Sequence, residues 1–127
     1  MNARILLVED NELNRYLATF MLERSGFTVL HASDGRQALA LAQSERPDLI
    51  IMDIQMPDMG GYEAAQRIKA APELTHIPLL AVTSYAMAGD REKALHAGFA
   101  GYIEKPISTE TFISEITRFL PRKEEPP

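Results

Sequence analysis

The chain contains no cysteine. That absence removes thiol catalysis, Cys-ligated zinc, iron–sulfur clusters and the small disulfide-stapled secreted scaffold. Basic residues are also short: 13 Lys and Arg stand against 18 Asp and Glu, for a formal net charge of -5. A dedicated nucleic-acid binder needs clustered cations for its phosphate contacts, so nucleic acid is not an expected partner. No apolar stretch approaches the roughly 18 residues of a membrane span. The N-terminal apolar run is only four residues long and leads straight into Glu9 and Asp10, unlike a secretory signal. Repeats, low-complexity segments and internal linkers are absent too. A soluble, cytoplasmic chain with no membrane partner is the expectation. Its 127 residues suit one domain that buries roughly two-thirds of its unfolded surface.

What is present is an alternation of short apolar runs and helical periodicity. Ile5-Leu6-Leu7-Val8, Leu49-Ile50-Ile51-Met52 and Leu79-Leu80-Ala81-Val82 are apolar on both faces, as central parallel strands covered by helices on each side must be. Thr28-Val29-Leu30-His31-Ala32 and Gly101-Tyr102-Ile103 are mixed and belong at the sheet edges. Between the runs, Leu13, Leu17, Phe20 and Met21 form one stripe, with Asn11 as candidate N-cap and Gly26 just beyond the end. Asp34 with Gln37 reads as a capping box before Ala38, Leu39, Leu41 and Ala42. Tyr62, Ala65 and Ile68 mark a third helix. Ser108 caps a last one carrying Phe112, Ile113, Ile116, Phe119 and Leu120. Residues 88–97 hold one large aliphatic, Leu95, and predict a loosely anchored helix. Five strand–helix alternations predict an α/β doubly wound parallel sheet.

In such a sheet ligands bind outside the carboxyl ends of the strands, where the strand order reverses. The first strand ends in Glu9-Asp10, the third in Asp53, the fourth in Thr83-Ser84 and the fifth in Glu104-Lys105-Pro106. Three carboxylates at one edge repel and raise one another's pKa unless a cation neutralises them. Magnesium suits Glu9, Asp10 and Asp53 because it takes one or two carboxylates, several waters and a phosphate oxygen. Calcium takes more protein oxygens, and His31, His76 and His96 lie at unrelated positions, reading as structural or solvent-facing. Asp53 is then either a ligand only or a nucleophile able to form an aspartyl phosphate. Phosphoryl transfer needs charge stabilised on three non-bridging oxygens. Magnesium, the Lys105 ammonium and the Thr83 hydroxyl with nearby backbone N–H groups would supply it.

Leu7-Val8-Glu9-Asp10-Asn11, Met52-Asp53-Ile54-Gln55-Met56-Pro57-Asp58-Met59-Gly60-Gly61, Ala81-Val82-Thr83-Ser84 and Tyr102-Ile103-Glu104-Lys105-Pro106, in this order, resemble the receiver domain of two-component response regulators. Within that family the chain is most similar to stand-alone receivers of the DivK type. The resemblance implies a five-stranded parallel sheet of order 2-1-3-4-5 with five helices. It implies Asp53 as acceptor of a phosphoryl group from a histidine kinase or histidine phosphotransfer protein. Mg2+ would lie on Asp10, Asp53 and the Gln55 backbone carbonyl, with Glu9 acting through water. Thr83 would hydrogen-bond the phosphoryl group and Lys105 would pair with it, turned inward by a cis bond to Pro106.

The same resemblance implies a switch. Moving a two-state equilibrium from 1:99 to 99:1 takes about 5.5 kcal/mol. Two charge-assisted hydrogen bonds of roughly 1.5–3 kcal/mol each approach that figure. Thr83 would shift toward the phosphoryl group, Tyr102 would rotate inward, and the face formed by the fourth helix, fifth strand and last helix would meet a downstream protein. Gln55 and Tyr85 would flank the path of attacking water, and the bulk of Tyr85 predicts slow self-dephosphorylation. The receiver is expected over residues 1–121, with 122–127 a frayed tail. A receiver from a hybrid histidine kinase and a phosphate-independent scaffold are alternatives. A magnesium-dependent aspartyl phosphatase needs a second Asp where this chain has Gln55, which argues against turnover and for a switch rather than an enzyme.

Overall fold

The computed structural model describes residues 3–54, 60–83, 90–104 and 108–120. In chain order the elements are β1 (Arg4–Val8), α1 (Glu12–Arg24), β2 (Thr28–Ala32), α2 (Gly35–Glu45), β3 (Leu49–Asp53), α3 (Gly61–Ala70), β4 (Leu79–Thr83), α4 (Asp90–Ala97), β5 (Gly101–Glu104) and α5 (Thr109–Phe119). All strand pairs are parallel, in the order β2-β1-β3-β4-β5. The expected doubly wound sheet is thus present, with the two mixed runs at its edges.

Strand side chains alternate between the two faces, and each face has its own core. Leu6, Val8, Ile50, Met52, Leu79 and Ala81 point to α2, α3 and α4, where Ala38, Ala42, Ala64, Ala65, Ile68, Ala94 and Ala97 meet them. Ile5, Leu7, Leu49, Ile51, Leu80 and Val82 point to α1 and α5, against Ala18, Leu22, Phe112 and Ile116. Burial on both faces explains why the central strands are uninterrupted apolar runs.

The helix ends follow local chemistry. Asn11 accepts the Asn14 N–H at 2.9 Å, capping α1. Asp34 accepts the Gln37 N–H at 2.9 Å, while Gln37 Oε1 reaches back to the Ser33 N–H at 2.8 Å, one residue before the cap. Ser108 occupies the N-cap position of α5, but its side chain makes no capping hydrogen bond. The α3–β4 connection is held by Lys69, whose Nζ donates to the carbonyls of Thr75 and Ile77, each at 2.9 Å. Burial lowers its pKa. Among the described side chains of α4 only the small Ala94 and Ala97 are buried, and Leu95 is half exposed. Its Lys93 ammonium lies 4.6 Å from the centre of the Tyr62 ring on α3.

The apolar stripe of α1 does not coincide with its buried side. Leu13, Leu17 and Phe20 do not face the core: they are 65%, 48% and 50% exposed, beside Tyr16 at 66%. α1 instead covers the sheet with Ala18 and Leu22, and with half-buried Met21. Apolar periodicity locates the apolar residues of a helix without saying which of them the sheet covers.

Candidate functional site

Chain progression reverses around β1 and β3, since β2 lies on one side of β1 and all later strands on the other. The carboxyl ends of these strands carry the polar residues. Glu9 follows β1, Asp53 ends β3 and Thr83 ends β4. Each terminates a run that is buried almost throughout, so sheet formation itself holds these groups against the core. Asp53 lies opposite Val82, and Thr83 opposite Glu104. The Ile54 N–H donates to the Val82 carbonyl at 3.2 Å, keeping the chain beyond Asp53 against β4.

One carboxylate oxygen each from Glu9, Asp10 and Asp53 lies within 4.8 Å of the others. Glu9, Asp53 and Thr83 are buried, at 5%, 6% and 0% exposure, while Asp10 faces solvent. Three carboxylates this close favour a cation between them. The donors are hard oxygens, few in number and open to water on the Asp10 side, which fits magnesium's preference for few protein oxygens and several waters. Asp53 and Thr83 lie at adjacent strand ends, so a carboxylate able to accept a phosphoryl group neighbours a hydroxyl able to bond it.

The turn beneath these acids is tightly built. The Glu9 N–H donates to the Ala32 carbonyl at 3.0 Å, the Glu9 carboxylate accepts the Asn11 N–H at 3.2 Å, and Arg15 Nη1 donates to the Glu9 carbonyl at 3.1 Å. On the other side Gly61 opens α3 against the residue following Asp53. A Cβ there would fall 2.5 Å from Ile54 Cα and 3.0 Å from the Asp53 carbonyl oxygen.

Of the predicted site residues, Glu9, Asp10, Asp53 and Thr83 gather at this edge. Tyr102, half-buried on β5 opposite Ala81, packs against the core beneath α2, α3 and α4. Gln55, Tyr85 and Lys105 lie outside the described residues, as do Ser84, Pro106 and the tail. Among the described residues no histidine joins the acidic cluster. His31 instead bonds Thr19 Oγ1 through Nε2 at 2.9 Å. Arg15 carries no advance signal in the sequence beyond its position four residues, one helical turn, past the Asn11 cap.

The response regulator receiver domain profile matches residues 5–117. The polar-differentiation response regulator DivK of Brucella anthropi is 45% identical over 120 residues, covering 94% of this chain and 98% of that protein. DivK of Brucella ovis is 44% identical over the same shares. In three dimensions the chain resembles the chemotaxis protein CheY4 of Vibrio cholerae, with a TM-score of 0.89 and 32% identity over 94% of this chain and 100% of that one. It also resembles the receiver domain of the sensor histidine kinase PA1611 from Pseudomonas aeruginosa, which was solved with a magnesium ion in its active-site cleft. That TM-score is 0.87, at 36% identity over 94% and 98% of the two chains. Among the described residues no helix is long and apolar enough to cross a membrane. The fold, the acids at its reversal point and these likenesses together make the chain a member of the response regulator receiver family of two-component signalling, similar to DivK.

Proposed function

We propose that this chain is a phosphorylation switch that takes a phosphoryl group from a protein phosphohistidine onto Asp53 and signals by contact with another protein. The observation that carries this reading is the meeting of Glu9, Asp10 and Asp53, with ligand oxygens within 4.8 Å, next to buried Thr83. An Asp53 carboxylate oxygen attacks phosphorus, the phosphorus–nitrogen bond of the donor breaks, and the imidazole leaves with its electron pair and takes up a proton. Asp10 and Asp53, with the Gln55 backbone carbonyl, would hold Mg2+, and Glu9 would act on it through water. The bound ion supplies positive charge to the non-bridging oxygens. Lys105 pairs with the phosphoryl group and the Thr83 hydroxyl donates a hydrogen bond to it. The Tyr102 ring already packs against the core with its hydroxyl buried, so the inward position is the one the switch would hold, and the face formed by α4, β5 and α5 is where the downstream protein docks. Gln55 and Tyr85 limit the access of water and so set the lifetime of the acyl phosphate.

A protein donor is favoured by the exposed stripe Leu13, Tyr16, Leu17 and Phe20. It begins three residues after Asp10 and runs along α1 for about 10 Å. An exposed apolar strip that begins this close in sequence to the acceptor site is suited to seat a protein donor. The 45% identity to DivK of Brucella anthropi supports the DivK-like reading.

Incubation with acetyl phosphate and Mg2+, followed by mass spectrometry, tests the reading. One phosphoryl group that is lost in alkali and absent from Asp53→Asn is the expected result. Steady release of phosphate would indicate a phosphatase, and no adduct at all a scaffold.

A further inference from the structure

We propose that Arg15 is a positioning residue for the cation-binding carboxylates, acting through the Glu9 backbone without touching metal or phosphoryl group. The inference rests on the reading of Glu9, Asp10 and Asp53 as a magnesium site. Among the interactions that hold Glu9 are its N–H to the Ala32 carbonyl, its carboxylate to the Asn11 N–H, and its carbonyl to Arg15 Nη1, at 3.0, 3.2 and 3.1 Å. The partners in the first two are backbone atoms of β2 and of the helix cap. The third depends on one side chain.

Arg15 is held in place for this task. Its own N–H donates to the Asn11 carbonyl at 2.9 Å, a bond of the first turn of α1, and Asn11 in turn caps that helix. Glu9, Asn11 and Arg15 therefore close a ring of hydrogen bonds: carboxylate to cap N–H, cap carbonyl to Arg15 N–H, and guanidinium back to the Glu9 carbonyl. Asp10 is the residue enclosed between Glu9 and the cap. It is exposed, so little packing orients it, and the aim of its carboxylate follows the backbone on either side. A charge-assisted bond from a guanidinium to that backbone is stronger than one from a neutral donor. Groups that orient metal ligands from behind are worth about 10- to 100-fold in affinity.

Magnesium binding by the full chain, measured by isothermal titration calorimetry for wild type, Arg15→Met and Arg15→Lys, tests the proposal, with metal-free melting recorded alongside. Methionine keeps length and removes the donor; lysine restores a charged donor. The expected result is a dissociation constant about tenfold weaker for Arg15→Met, recovered to within about threefold by Arg15→Lys. Arg15→Gln, which retains a neutral N–H donor, replaces Arg15→Met should the latter not fold, and is expected to fall between the other two. Unchanged affinity in Arg15→Met overturns the proposal. Tighter binding there also overturns it, because Arg15 would then be a competing cation. Weakening that lysine does not repair does so as well. If wild type itself binds no magnesium, the metal reading falls together with the positioning role. That outcome is distinguished by a flat titration for every protein, whereas failure of the Arg15 proposal alone leaves wild type binding.

Discussion

At the scale of single residues, two positions have consequences that follow from geometry alone. Gly61 sits so close to the chain beyond Asp53 that an added Cβ would fall 2.5 Å from Ile54 Cα. A backbone atom cannot rotate away. Gly61→Ala is expected to destabilise the fold by about 1–3 kcal/mol, read as a lower urea midpoint, and to displace the acceptor loop. At Gly101 the Cβ would meet the ring edge of Phe119 and a methyl of Leu80, so Gly101→Ala should cost less. A larger loss at Gly101 would contradict this account. The second position is His31, whose pKa lies below its ordinary 6.5 because of burial, with the Arg15 charge adding to the effect and Glu23 opposing it. The unfolded chain then takes up protons more readily than the folded one. The contribution to stability is full above about 6.5 and is lost as pH falls through the lower folded value. Urea midpoints measured down to pH 5 should decline less steeply in His31→Gln than in wild type.

Among the elements, α1 shows what periodicity does and does not convey. Leu13, Leu17 and Phe20 have the spacing of a core-facing stripe, yet the sheet is covered by Ala18 and Leu22, which sequence alone ranks no higher. Ala18 and Leu22 lie one turn apart on the side of α1 that meets the strands, while Leu13, Tyr16 and Phe20 project from the opposite side. A burial pattern of this kind depends on where the neighbouring elements lie, which a one-dimensional period does not encode. The exposed stripe has a functional test at the same scale. Leu17→Asp and Phe20→Asp should slow phosphoryl transfer from a phosphohistidine protein by tenfold or more, about 1.4 kcal/mol or greater. Labelling by acetyl phosphate, which needs no docking strip, should stay within about twofold. Equal loss with both donors would place the effect in the site or the fold instead of the docking surface.

For the whole molecule, the doubly wound layering and the acidic site were legible together because one principle governs both, whereas the strand order came only with the family resemblance. Apolar runs such as Ile5-Leu6-Leu7-Val8 tolerate no exposed face, which forces helices onto both sides of the sheet and leaves the strand ends as the place for polar groups. Glu9, Asp53 and Thr83 stand at those ends. Arg15 was not legible, since it acts on a backbone carbonyl that no residue pattern reveals. The same arrangement sets up an opposition between stability and function. Three carboxylates within 4.8 Å repel in the metal-free chain, and the surrounding sheet must outweigh that repulsion. Magnesium at a hundredfold excess over its dissociation constant adds about 2.7 kcal/mol to the folded state. Wild type should therefore melt several degrees higher with saturating Mg2+. Asp10→Asn removes one charge from the cluster along with a ligand. It is expected to melt higher than wild type without metal and to show little or no rise when Mg2+ is added, so the two melting curves should converge or cross as the ion is titrated. A metal-free Asp10→Asn less stable than wild type would mean that the acids are already compensated within the protein, and the site would then need no cation to relieve it.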